Sequence, residues 1–144
     1  MTTNTTIDPA IIDRAACALR EAAKSGKEID PVRDMISAGG LDAAYAVQES
    51  NTRHYLAKGR RLVGRKIGLT SLAVQNQLGV DQPDYGMLFA DMDVAEGMPV
   101  SLDRVIQPKV EAEIAIVVGR DLPHPDHVLL LSHPGPSSVV DDTQ

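Results

Sequence analysis

Near residue 60 the periodicity of the chain changes, and this restricts the architecture more than any other feature of the sequence. Before that point apolar residues recur at helical spacing. Asp8 and Pro9 make an N-cap and first-turn pair, Ile11, Ile12, Ala15, Leu19 and Ala22 follow on one face, and Gly26 is a stop. After the Gly39-Gly40 break, a second helix is predicted from near Asp42 through Ala44, Val47, Asn51 and Tyr55 to Gly59. The stretch EIDPVRDMI between them reads as a connector with a short turn. From Leu62 onward RLVGRKIGL reads as a strand, with Gly64 and Gly68 marking places where a backbone or ligand can approach closely. SLAVQNQLG reads as a short helix, and VDQPDYGMLFADM as a turn-rich loop ending in a strand-like run. Helices first and strands afterwards predict an α+β protein, not alternating β/α units.

The 144 residues make one domain's worth of chain, long enough to bury a core. A formal charge of −6 and a pI near 5.1 argue against nonspecific nucleic-acid binding and against a membrane-surface role. Aromatic residues are only 3% and Trp is absent, so the core must be aliphatic, and single-strand binding by base stacking is disfavoured. Cys17 is the lone cysteine, which excludes an internal disulfide; in a helix it reads as a small buried residue. MTTNTTIDPA has neither a basic start nor an apolar core of a signal peptide, and no apolar segment is long enough to span a bilayer. The expectation is a cytoplasmic protein.

The segment QPKVEAEIAIVVGRDLP, residues 107 to 123, carries the most pointed chemical question. Its β-branched density, with Pro108 before it and Gly119, Asp121 and Pro123 after it, predicts a strand. Period-two alternation would then set Glu111 and Glu113 side by side on one face. If both faces were covered, two ionised carboxylates would repel each other unless a cation neutralised them. Their hard oxygens suit Mg²⁺ or Mn²⁺ better than Zn²⁺. A half-exposed strand turning the same pair to water is the competing reading, weakened by Ala115 and Val117 on the same face.

Other candidates divide in the same way. GRRLVGRK, residues 59 to 66, fails as a phosphate loop, because Arg65 follows Gly64 and Ile67 follows Lys66. Lys66 has Gly64 and Gly68 as same-face neighbours and so has open space around it; it is either an acid/base lysine in a pocket or a surface lysine. Asp81 and Asp84 in VDQPDYG are either turn formers beside Pro and Gly or catalytic carboxylates on a loop. His124, His127 and His133 follow no zinc-ligand spacing and have no cysteine with them.

Two long stretches, VGRKIGLTSLAVQNQLGVDQPDYGMLFADM and VIQPKVEAEIAIVVGRDLP, resemble the 2-keto-4-pentenoate hydratases of the fumarylacetoacetate hydrolase superfamily. PVRDMI and DAAYAVQ resemble the helical lead-in of that family, so the likeness covers about residues 8 to 123. It implies an N-terminal helical segment (residues 1–60), the N-terminal part of a mixed β catalytic fold (61–123) and an atypical tail (124–144). It further implies a lyase of aromatic meta-cleavage catabolism that converts 2-hydroxypenta-2,4-dienoate to 4-hydroxy-2-oxopentanoate. By this resemblance Glu111 and Glu113 are ligands of Mg²⁺ or Mn²⁺, Lys66 is the proton shuttle and Asp84 orients water or moves protons. The only partner implied is the small 2-oxo acid substrate, with a homo-oligomer if the fold is complete.

The departures from the family are also specific. A third acidic ligand lies downstream in the family, yet no Glu follows Glu113, and Asp126, Asp141 and Asp142 lie in a tail that does not resemble it. The expectation is a truncated or frame-shifted member with family-like sequence to about residue 124, weak metal affinity and little activity. Two alternatives stand beside the hydratase: a 4-oxalocrotonate decarboxylase of the same family, and a noncatalytic fragment that needs a partner to fold.

Overall fold

The structure, a computed structural model, describes residues 7–119. The α+β order expected from the sequence is present. Helix α1 spans Pro9–Ser25, α2 Arg33–Ile36 and α3 Gly40–Ala57; strand β1 spans Leu62–Gly68, helix α4 Leu72–Leu78 and strand β2 Asp84–Phe89. Short 3₁₀ turns occupy Ser37–Gly39, Ala90–Met92 and Leu102–Arg104.

The signals that start and stop α1 work as the sequence suggests. The Asp8 carboxylate accepts the Ala10 N–H at 2.9 Å, Pro9 takes the first turn, and Gly26 closes the helix in the left-handed region at φ 67°. A Cβ-bearing residue would be strained there. The connector holds more helix than the single turn expected, because Arg33–Ile36 runs directly through a 3₁₀ turn into α3. This lets Ile36 point inward.

Ala15 and Ala16 of α1, Ile36 of α2, and Ala43 and Val47 of α3 form the core, flanked by Ile7, Ile11, Ile12 and Val32. The small alanines allow α1 and α3 to pack closely. Burying a side chain such as Ile36 or Val47 contributes about 1.5–3 kcal/mol each. At the junction of α2 and α3 the packing leaves no room for one more carbon. A Cβ on Gly39 would lie 2.7 Å from Ala43 Cβ and from Ile7 Cδ1. Arg20 adds a polar clasp, donating to the Asn51 amide oxygen at 2.7 Å.

β1 and β2 pair antiparallel in the two-stranded sheet found among the described residues. The register runs from Leu62 opposite Phe89 to Gly68 opposite Asp84, with Val63 as the extra residue at a bulge. α3 anchors this hairpin. Phe89, buried, meets the Tyr55 ring edge-on at 5.7 Å, and the Arg60 guanidinium lies 4.4 Å from the Tyr55 ring centre and 4.3 Å from that of Phe89. Arg60 also donates to the Asp91 carboxylate through Nε at 3.0 Å and Nη2 at 2.9 Å. That hydrogen bond holds the Asp91 carboxyl below its ordinary pKa, against an opposing effect of desolvation.

The strand expected over residues 107 to 123 is not formed in its described part. Residues 110–118 have no strand hydrogen bonding, and Val110, Ile114 and Val117 are 99%, 94% and 93% exposed. β-branched residues favour extended backbone, but a strand exists only when a neighbouring strand takes its N–H and C=O groups. None does so among the described residues. The chain divides into two compact units, one ending at Lys109 and the other beginning at Val110, and the helices and strands of the described residues belong to the first. No helix among the described residues is long and apolar enough to cross a membrane.

Candidate functional site

Antiparallel register places Lys66 opposite Gly86 and Asp84 opposite Gly68. Residues directly opposite each other project from the same face, as do residues two apart along one strand. Lys66, Gly68, Asp84 and Gly86 therefore share one face, and the lysine and aspartate are diagonal neighbours across it. Such neighbours sit about 7–8 Å apart, within reach of a long side chain.

The two glycines make room for the two charged side chains. A Cβ on Gly86 would lie 2.9 Å from Lys66 Cγ and 3.3 Å from its Cδ, so the lysine stem is laid across Gly86. A Cβ on Gly68 would lie 2.1 Å from Asp84 Oδ1, so the carboxylate is folded over Gly68. Each side chain occupies the space that the opposite strand's residue lacks. The open space expected beside Lys66 at Gly68 is thus filled by Asp84.

Both Lys66 and Asp84 are exposed, and neither is tied up in an ion pair. Among the described residues the ion pairs are Arg53 with Glu49 and Arg60 with Asp91. An amine and a carboxylate side by side and solvent-accessible can hold and pass protons to a molecule resting on this face.

Sequence reasoning missed the residues that fix this face in place. Gln48 donates from Nε2 to the Tyr85 carbonyl at 2.8 Å, and the Tyr85 N–H donates to the Tyr45 hydroxyl at 3.2 Å. Both backbone groups of Tyr85 thus point away from β1 and are met by side chains of α3. They secure the edge of β2 immediately beside Asp84. Nothing in the sequence marks Tyr45 and Gln48, since helical residues one turn apart carry no sign of which strand they meet.

The end of β1 is held by a second such contact. Leu69, next after Gly68, adopts φ 56°, a left-handed conformation unusual for a residue with a branched side chain. Its carbonyl accepts a hydrogen bond from Gln75 Nε2, and Gln75 is the buried residue of α4. A deletion of this contact would expose the strain to relaxation.

Glu111 and Glu113 lie in the other unit, on exposed backbone outside any strand. The covered, charge-repelling strand face expected for them is not present among the described residues. Their donor chemistry still suits a hard divalent cation, being oxygen only. The described residues hold no group of three or more His, Cys, Asp or Glu side chains placed to share a metal ion. Two carboxylates by themselves do not fill the coordination shell of such a cation. His124, His127, His133 and the aspartates of the tail fall outside the described residues. A cleft of about 390 Å³ in the first unit, lined by Gly26, Lys27, Glu28, Val105, Ile106 and Gln107, includes none of the candidate residues.

No protein-family model matches the chain. Among curated proteins it is 62% identical over 115 residues to 2-keto-4-pentenoate hydratase 1 of Dechloromonas aromatica, an alignment covering 80% of this chain and 44% of that protein. It is 65% identical over 111 residues to the TodF product hydratase of Pseudomonas putida, covering 77% of this chain and 41% of that protein. A 2-hydroxypent-2,4-dienoate hydratase of Pseudomonas putida is 36% identical over 121 residues, covering 83% of this chain and 54% of that protein. The chain spans less than half the length of the first two relatives. Among solved structures it is similar to 4-oxalocrotonate decarboxylase from Pseudomonas putida, complexed with magnesium and adipate or with calcium and acetate. That likeness has a TM-score of 0.56 at 32% identity and covers 60% of this chain and 33% of the decarboxylase.

Proposed function

The chain belongs to the 2-keto-4-pentenoate hydratases of the fumarylacetoacetate hydrolase superfamily, and from that membership we propose that it carries the proton-transfer part of a hydro-lyase site. The reaction is addition of water to 2-hydroxypenta-2,4-dienoate, giving 4-hydroxy-2-oxopentanoate in aromatic meta-cleavage catabolism. The observation that carries the proposal is the shared face of Lys66 and Asp84, each laid over the glycine opposite.

The chemistry asks for two proton movements and one water. Ketonisation removes the proton from the 2-hydroxyl and delivers one to C5, which leaves the remaining alkene conjugated to the new carbonyl. C4 is then electrophilic, and water adds there while C3 takes up a proton. Lys66 accepts the hydroxyl proton and returns it to carbon. Asp84 orients the water and takes its proton as the new C–O bond forms. The two groups stand on one side of the hairpin, so one molecule on that face can meet both.

In this proposal Glu111 and Glu113 are two of the ligands of a divalent cation, Mg²⁺ or Mn²⁺. When bound, that ion supplies electrophilic stabilisation of charge at the substrate carboxylate and 2-oxo oxygens. The magnesium and calcium of the decarboxylase structures support the choice of a hard divalent ion. The same reading places the protein in the cytoplasm as a homo-oligomer.

The hydratase is favoured over the decarboxylase because the relatives at 62% and 65% identity are named hydratases, whereas the decarboxylase stands at 32%. The test follows the ultraviolet absorbance of 2-hydroxypenta-2,4-dienoate with the purified chain, with and without Mg²⁺ or Mn²⁺, beside Lys66→Ala and a Glu111→Gln, Glu113→Gln double variant. Slow, metal-dependent loss of the dienol with 4-hydroxy-2-oxopentanoate as product, abolished in both variants, is the expected result. No turnover by a folded sample, or turnover untouched by either variant, would overturn the proposal. Release of CO₂ from 4-oxalocrotonate would transfer it to the decarboxylase.

A further inference from the structure

Gln75 is the buried polar side chain among the described residues, 5% exposed on a helix whose Leu72 and Leu78 are largely open to solvent. Burial of an amide needs a reason, because an apolar side chain would pack there without a desolvation cost. The backbone of Gln75 is anchored at both groups: its N–H donates to the Ser71 carbonyl at 2.9 Å, and its carbonyl accepts from the Val80 N–H at 3.0 Å and from Gly79 at the helix cap. Its side chain therefore leaves a fixed point and ends on one atom, the Leu69 carbonyl oxygen.

Leu69 is one of two non-glycine residues with positive φ among the described residues, the other being Gln107. At φ 56° the Leu69 Cβ crowds the backbone. Such a conformation persists where surrounding contacts over-determine it. Here the contact in hand is the Gln75 amide. Leu69 directly follows Gly68, over which the Asp84 carboxylate is folded. The chain thus passes from the glycine beneath Asp84 directly into the left-handed residue.

We propose that Gln75 is a positioning residue: by holding the Leu69 carbonyl it keeps Leu69 left-handed at the end of β1, and so fixes the Asp84 carboxylate beside Lys66. The catalytic meaning of that placement rests on the hydratase reading above; the mechanical link does not.

The test uses the ¹⁵N-labelled full chain and compares amide signals of Gln75→Leu, Leu69→Gly and the double variant with the parent. In Gln75→Leu the signals of Lys66, Gly68, Asp84 and Gly86 move while those of Ala15 and Val47 stay. Adding Leu69→Gly moves the shifted signals back toward the parent, because glycine takes positive φ without help. Signals that stay in place in Gln75→Leu, or that Leu69→Gly does not move back, would overturn the proposal. Should Gln75→Leu fail to fold, Leu69→Val carries the test. Its β-branched side chain resists positive φ and is expected to displace the same signals, whereas Leu69→Gly leaves them; equal responses would overturn the link. Where the parent turns over substrate, Gln75→Leu lowers kcat on the order of ten- to a hundredfold with KM little changed. A parent without turnover counts against the hydratase reading alone, since the amide signals still decide the clamp.

Discussion

The Asp84 carboxylate lies across Gly68, on the strand opposite its own, in the space that a Cβ would take: the two would be 2.1 Å apart. Gly68→Ala thus separates the site from the fold. Asp84 Oδ1 is the free end of a short exposed side chain and can swing away, while alanine is favoured over glycine in a strand by roughly 0.5–1 kcal/mol. The expected outcome is a thermal midpoint within a few degrees of the parent and a displaced Asp84, read from its carboxyl ¹³C signal. On the proposed hydratase reading, turnover should fall together with that displacement.

Gly39→Ala is expected to behave in the opposite way. Its Cβ would meet Ala43 Cβ and Ile7 Cδ1, both at 2.7 Å, and Ala43 is fixed in α3 within the core. Overpacking of this kind costs typically about 1–3 kcal/mol. Urea unfolding should show a lower midpoint at an unchanged slope, and the amide signals of the β1–β2 hairpin should stay where they are.

Tyr45→Phe and Gln48→Leu each remove one partner of Tyr85's backbone. Each should cost about 0.5–1.5 kcal/mol, the worth of an ordinary hydrogen bond. The more specific expectation concerns hydrogen exchange. Protection of the Tyr85 amide should drop in Tyr45→Phe, while the amides of α1 exchange as before.

The Arg60 hydrogen bond depresses the pKa of Asp91, so its contribution to stability has a defined sign with pH. A carboxyl with a lower pKa in the folded state than in the unfolded state stabilises the fold above the unfolded value, and this is lost as pH falls through the folded value. Comparing the parent with Asp91→Asn by thermal melting should show the parent's advantage at neutral pH. That advantage should fade below about pH 4. A constant difference across the range would mean that the ion pair contributes nothing to it.

How much could be read from the sequence varies with the range of the interaction responsible. Helix α1 was fully legible, since Asp8, Pro9 and Gly26 act on neighbours a turn away. The α+β order was legible for the same reason, and so were α4 and the strand character of RLVGRKI. The Glu111 and Glu113 segment shows the limit. Its residues have strand composition, yet without a pairing partner among the described residues that composition yields no strand.

Within the candidate site the division is sharper. Sequence alone singled out Lys66 and Asp84 as separate residues with glycines nearby, because motif and composition are properties of short stretches. That Lys66 lies over Gly86 and Asp84 over Gly68 was decided only by the antiparallel register. The register depends on where α3 receives β2 and on how Leu69 and α4 turn the chain between the strands. Gln75 and Gln77 look alike in AVQNQL, and only the packing of α4 buries the first of them. Local backbone preferences are written residue by residue; which side chains share a face is set by contacts between residues far apart in the chain, and it exists only once the hairpin has docked.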